Sequence, residues 1–205
     1  MQGGETLKKS TLKKTCVIFS VTIIFFGTFY TYIQYKNSST KENLLNIANN
    51  VINENIVRDV QNNFIEQEEF SMDELQENNN IIGKIIIPSI GVEAPIKDGT
   101  TGDVLKVAVG HFSNTSYWNG NICLASHNRG TYAHYFEKIN ELSVNDEIIY
   151  QTKLGTRVFL VKNINKISEN DLSVLDSTEK NCITLITCVK GQPELRLCLK
   201  AVEKI

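Results

Sequence analysis

From Ile81 onwards the chain is a succession of short apolar, β-branched runs punctuated by turn residues, and that texture leaves few folds open. The runs are Gly83–Pro88, Val92–Ile96, Lys106–Val109, Ile122–Ser126, Glu147–Thr152, Thr156–Asn163, Cys182–Thr187 and Leu195–Val202. Between them lie turn signals such as Lys97-Asp98-Gly99, Trp118-Asn119-Gly120, Val144-Asn145-Asp146 and Leu154-Gly155. Eight short strands in about 125 residues predict an all-β domain, a sandwich or a closed barrel. Tyr132–Asn140 and Asp171–Leu175 read as short helices, and no internal repeat is visible.

The chain upstream of Ile81 has a different character. Residues 1–14 are polar, with Lys8, Lys9, Lys13 and Lys14 against one acid, Glu5. Thr15 to Tyr35 carries no charge, and its 21 residues match the roughly 20 that cross a bilayer core as a helix. Tyr30, Tyr32 and Tyr35 suit the interfacial belt at the far end, and the lysine excess before the run puts the N-terminus in the cytoplasm. A cleaved signal peptide fits less well, because Tyr-Lys-Asn-Ser-Ser is no small-residue cleavage site. Residues 36–80 are rich in Asn, Glu and Gln, with apolar residues from Leu44 to Val60 at roughly helical spacing. They read as a polar spacer, partly helical or disordered, or else as a helix that packs on the domain and shields a groove. The expected divisions are therefore 1–14 cytoplasmic, 15–35 transmembrane anchor, 36–80 spacer and 81–205 catalytic domain, with localisation at the cell membrane as a single-pass protein.

Composition excludes several classes. A formal net charge of -2 argues against a nucleic-acid partner, since neutralising phosphates requires a basic face. Five cysteines cannot all pair internally. They form no C-x-x-C and no Cys/His cluster at ligand spacing, so neither a metal nor a cofactor is expected. A Cys182–Cys198 disulfide would be out of register if the flanking strands pair about the intervening loop.

Chemistry concentrates near the C-terminus. In Thr184-Leu185-Ile186-Thr187-Cys188 an apolar strand ends on a polar pair, and a loop then breaks the pattern. A cysteine at a strand mouth is rigidly held yet open to solvent, as a nucleophile must be. Of the three histidines, His127 has the same setting, closing Ile122-Cys123-Leu124-Ala125-Ser126 before Asn128-Arg129-Gly130. A Cys/His pair is a nucleophilic arrangement: the imidazole takes the thiol proton and later protonates the leaving amine. Arg196 alternates with Leu195 and Leu197, and on a strand paired with that of Cys188 it can donate to an oxyanion. Inert buried thiols are expected at Cys123, Cys182 and Cys198.

These residues resemble the sortase family of cell-surface transpeptidases. Thr184-Leu185-Ile186-Thr187-Cys188 matches its TLxTC motif, with Arg196 on the next strand. The stretch from Gly110-His111-Phe112 through Asn119-Gly120-Asn121-Ile122 to Ala125-Ser126-His127-Asn128 is similar to the segment that ends in the family's catalytic histidine, where the earlier Gly-His is structural. The resemblance covers residues 81–205 and implies a closed eight-stranded barrel. It implies Cys188 as nucleophile, His127 as general acid/base and Arg196 as oxyanion or substrate-backbone stabiliser. Thr187, Ser126 and Asn128 become groove residues, and the loop around residues 164–181 becomes one groove wall. The implied partners are secreted proteins bearing an LPxTG-like sorting signal, a peptidoglycan-precursor amine, and the bilayer through residues 15–35. The short Cys–Arg spacing and compact domain suggest a class D-like member, with class B-like next. Two other readings stay open: a thiol endopeptidase using water as acceptor, and a non-catalytic, membrane-tethered β-barrel binding module.

Overall fold

The computed structural model describes residues 3–59, 79–130 and 132–204, with side chains described at 19–53, 79–130 and 132–204. A long helix, α1 (Gly3–Asp59), is followed by eight strands: β1 (Ile81–Ile87), β2 (Val92–Asp98), β3 (Val109–His111), β4 (Asn121–Ala125), β5 (Glu147–Thr152), β6 (Gly155–Ser168), β7 (Cys182–Val189) and β8 (Gln192–Glu203). The chain divides into two compact units, Met1–Ser39 and Thr40–Ile205.

In the first unit, α1 exposes Phe19, Ile23, Ile24, Phe25, Phe26, Phe29, Tyr30, Tyr32 and Tyr35. Side chains of the run Thr15–Tyr35 are described only from Phe19, and among the described residues no helix is long and apolar enough to cross a membrane. In the second unit, the segment read as a spacer is helical as far as Asp59. Leu44, Ala48 and Val51, on one helical face, are buried. Leu44 and Ala48 form a small cluster with Ile81, joined by Ile47 and Val107.

The strands close into a barrel in the order β1-β2-β3-β4-β7-β8-β6-β5, so the closed barrel, not the sandwich, is the form adopted. Two neighbouring pairs are parallel, β2 with β3 and β4 with β7. A parallel pair cannot be joined by a hairpin. The chain between β4 and β7 therefore has to travel, and it does so through β5, β6 and their loops. Alternation fills the interior, with Ile85, Ile87, Ile122, Leu124, Ile148, Tyr150, Phe159, Val161, Ile183, Leu185 and Leu199 in one cluster. Tyr150 is wholly buried but donates its hydroxyl to the Tyr117 carbonyl at 2.8 Å, and burial pushes its pKa far up. Closure depends on glycine at one point. A Cβ on Gly83 would lie 2.0 Å from the Gln151 carbonyl oxygen on the neighbouring β5.

Two expectations shift. The strand expected at Lys106–Val109 forms later, at Val109–His111, because Thr101 caps a one-turn helix, α2 (Gly102–Leu105), by accepting from the Val104 amide. The expected helices at Tyr132–Asn140 and Asp171–Leu175 reduce to 3-10 turns at Ile139–Glu141 and Ser173–Leu175. Both segments spend their polar groups on tertiary bonds: the Phe136 amide donates to the His127 carbonyl, and the Val174 and Asp176 carbonyls accept from Asn121.

Candidate active site

The site is built from three neighbouring strands. In β7, Ile183 and Leu185 point into the core. By alternation Cys182, Thr184, Ile186 and Cys188 face outward. In β4, Ile122 and Leu124 are core and Asn121, Cys123 and Ala125 face outward. In β8, Leu199 and Ala201 are core, so Arg196 and Cys198 share the outward face. That outer face grades from closed to open. Asn121, Cys123, Cys182 and Thr184 are buried at one end, whereas Cys188 is solvent-exposed at the other.

Strand register relates two of the expected residues directly. Cys188 lies directly opposite Arg196 in the antiparallel β7–β8 pair. Ala125 lies beside Ile186 at the last paired position of the parallel β4–β7 pair, and His127 follows two residues beyond the end of β4. Three bonds carry this pairing past the end of β4. The Ser126 amide donates to the Ile186 carbonyl at 3.3 Å, the Thr187 hydroxyl donates to the Ser126 carbonyl at 2.7 Å, and the Asn128 side-chain amide donates to the Cys188 carbonyl. Thr187 and Ser126 are both buried, and alternation turns them to the barrel side, opposite Cys188. Ser126 Oγ is buried with no hydrogen-bond partner among the described residues.

Arg196 is held on three sides. Its Nη1 donates to the Pro193 and Leu195 carbonyls at 2.6 and 2.9 Å, and its Nη2 pairs with Glu169 at 2.9 Å. Among the described residues Nε–H and the second Nη2–H have no protein partner, so one edge of the guanidinium is free to donate.

The remaining cysteines differ from Cys188. Cys123, Cys182 and Cys198 are buried free thiols. Burial pushes Cys123 up to about 12 and Cys198 up to about 11, which keeps both protonated. Cys182 pairs with Val202 and Cys198 with Ile186, so the two are out of register for a disulfide. The other histidines have separate work. His111 is buried, its Nδ1 3.0 Å from Asp98 Oδ1 and its Nε2 3.0 Å from the Ser116 carbonyl. Burial raises the Asp98 pKa, but hydrogen bonds from His111, Ser113 and Tyr117, with the His111 charge, outweigh it and hold the carboxyl below its ordinary value. Exposed His134 accompanies Glu137 at 3.4 Å. Among the described residues no group of acids, histidines or cysteines could hold a metal ion.

Sequence reasoning did not single out Glu169 or Asp98. Nothing near Glu169 in the sequence marks it, because its partner lies on a strand reached only after β7. Asp98 was read as a turn residue, which describes its place in the chain and not its buried partner.

Comparison with known proteins agrees with this geometry. The Sortase domain family model matches residues 85–204, more than half of the chain. Sortase A of Bacillus anthracis is 30% identical over 114 residues, 55% of this chain and 54% of that protein. Sortase D of Bacillus subtilis is 30% identical over 115 residues, 55% of this chain and 56% of that protein. The matched stretch thus spans about half the length of these relatives. Among solved structures, sortase C1 of GBS pilus island 1 superposes with a TM-score of 0.66 at 20% identity, covering 80% of this chain and 92% of that one. A Clostridium perfringens sortase D5 transpeptidase gives 0.57 at 27% identity, covering 78% and 99%. A closed eight-stranded barrel, with a cysteine and an arginine paired on one outward face and matched by the family model over nearly all of its strands, places this chain in the sortase family.

Proposed function

We propose that the protein is a membrane-anchored transpeptidase that joins secreted proteins carrying an LPxTG-like signal to an amine of the cell wall. The observation that carries the proposal is the register that sets Cys188 opposite Arg196 at the open end of one sheet face, with the bonds from Ser126, Thr187 and Asn128 that tie the segment holding His127 to the end of β7. On that face Cys188 is exposed while Ile186 and Thr184, two and four residues back, are buried, so a bound peptide meets Cys188 at the open end of the strand.

Cys188 gives its proton to His127, and the thiolate attacks the carbonyl carbon of the scissile bond. The oxyanion accepts from the unspent edge of Arg196. His127 returns the proton to the leaving nitrogen, the C–N bond breaks, and a thioester remains on Cys188. An amine then attacks the thioester, loses a proton to His127, and expels the Cys188 thiolate, which recovers that proton. Thr187 and Asn128 act from behind by tying the two strand ends together, with Ser126 supplying the carbonyl that Thr187 grips.

The charge-free run Thr15–Tyr35 and the exposed apolar side chains of α1 support anchoring through residues 15–35, with the catalytic domain outside the cell. Similarity to the B. subtilis sortase D and the C. perfringens sortase D5 supports the class D-like reading. The test incubates the full chain in detergent with LPxTG-like peptides and an amine acceptor, followed by mass spectrometry. Ligated product and a thioester on Cys188 are expected, and Cys188→Ala should give neither. Hydrolysis without ligation would establish the endopeptidase, and no adduct with any peptide would sink the enzymatic reading.

A further inference from the structure

Asn121 opens β4 at the closed end of the face that carries Cys188, and its amide is fully used. Nδ2 donates to two carbonyls of the segment linking β6 to β7, Val174 and Asp176, each at 2.9 Å. Oδ1 accepts from the Thr184 hydroxyl at 2.8 Å and faces the Cys182 thiol at 3.3 Å. Four bonds are the whole capacity of an asparagine side chain. The group is buried, so each unmade bond would carry a desolvation cost.

This hub decides where residues 169–181 lie. At the open end the segment leaves β6 through Glu169, which pairs with Arg196 across from Cys188. It then crosses the outer face of β4 and β7 and is caught at Val174 and Asp176 by Asn121. It reaches β7 through Asn181, whose side-chain oxygen accepts from the Gly120 amide at 2.9 Å. The covered stretch explains why Cys123, Cys182 and Thr184 are buried although they face away from the barrel core. Ile186, between Thr184 and Cys188 on the same face, is also buried, so the open part of the face is short; the segment borders it at Glu169, and Asn121 fixes where the rest of the segment lies.

We infer that Asn121 is a positioning residue for peptide binding. It holds the β6–β7 segment as a preformed end wall, and so sets the length and fit of the peptide bound upstream or downstream of the attacked carbonyl. The inference rests on the proposed function. Asn121 touches neither Cys188 nor the reacting carbonyl, so its loss should act on binding and not on chemistry.

The experiment compares full-length wild type with Asn121→Asp, which keeps the shape and the acceptor but removes both donors. Peptide KM is expected to rise about tenfold, with kcat within threefold, because a wall displaced by about an ångström costs fit without altering the nucleophile. Iodoacetamide should alkylate Cys188 at the wild-type rate within twofold. Hydrogen exchange should quicken in residues 169–181 and stay unchanged in β1 and β2. Unchanged KM and exchange, or kcat falling in step with thiol reactivity, would overturn the inference. If the aspartate variant does not fold, Asn121→Ser, which keeps an acceptor for Thr184 but cannot span both carbonyls, decides on the same readouts. A wild-type chain that processes no peptide refutes the proposed function and the peptide half of this inference, whereas the exchange comparison still reads the pinning itself.

Discussion

Replacing Ser126 with alanine separates two roles for a residue next to His127, the proposed general acid/base. A groove residue would lose a substrate contact. The structure instead turns Ser126 inward and leaves its hydroxyl buried with no partner among the described residues. A buried hydroxyl without a hydrogen bond costs about 1–3 kcal/mol, and the oxygen removed leaves only a very small void. The expected net is a gain of about 1 kcal/mol in Ser126→Ala, or about 2–4 °C in Tm for a domain of this size. The melt can be followed by the fluorescence of Trp118, the single tryptophan, which packs under Arg157 at 4.2 Å. Peptide KM should remain within twofold. Thr187→Val is the paired control: it keeps the shape but removes the donor to the Ser126 carbonyl, and should cost about 1–3 kcal/mol. A lower Tm in Ser126→Ala, or a clear rise in its KM, would refute the inward placement.

Other perturbations test other parts. Arg196→Lys keeps the charge but loses the planar fork, and should lower kcat by about 10²–10³ with little change in KM, read by steady-state peptide kinetics. Asp98, held below its ordinary value of 3.8, contributes stability that is present above that pH and lost as pH falls through the depressed value. The Tm deficit of Asp98→Asn should therefore be largest near neutrality and shrink in acid, and a deficit independent of pH would contradict the pairing with His111. Gly83→Ala drives a Cβ against the Gln151 carbonyl and should destabilise the barrel by about 2–4 kcal/mol in denaturant melts, since backbone and not a flexible side chain must give way. Alkaline carbonate should leave the full chain in the membrane pellet and release a chain beginning after Tyr35, and release of both would refute the anchor.

The strands were legible because burial on one face writes itself as alternation, as in β5 and β7. The exposure of Cys188 at the far end of its strand was legible because the apolar run gives way there to a turn. What escaped is what depends on pairing between distant strands. Asn121 looks like a turn residue before Ile122, and nothing local says that its amide spans to Val174 and Asp176. The helix expected at Tyr132–Asn140 gave way because the Phe136 amide donates to the His127 carbonyl and not to its own preceding turn, while the Tyr135 hydroxyl ties the segment to the Val107 carbonyl. Ser126 and Thr187 share motifs with the reactive residues, but one step along a strand is a reversal of face.

The position of the β7–β8 hairpin has a consequence in time. It fills the gap between β4 and β6, so without it the other six strands form an open sheet in the order β6-β5-β1-β2-β3-β4. The hairpin follows the other six strands in sequence, and it carries both Cys188 and Arg196. Insertion of the hairpin closes the barrel and, in the same event, sets the strand of Cys188 beside β4. A chain that has not yet placed this hairpin thus has neither its exposed thiol nor its guanidinium against the sheet, and gains them only as the last two sheet edges, β4 and β6, are paired.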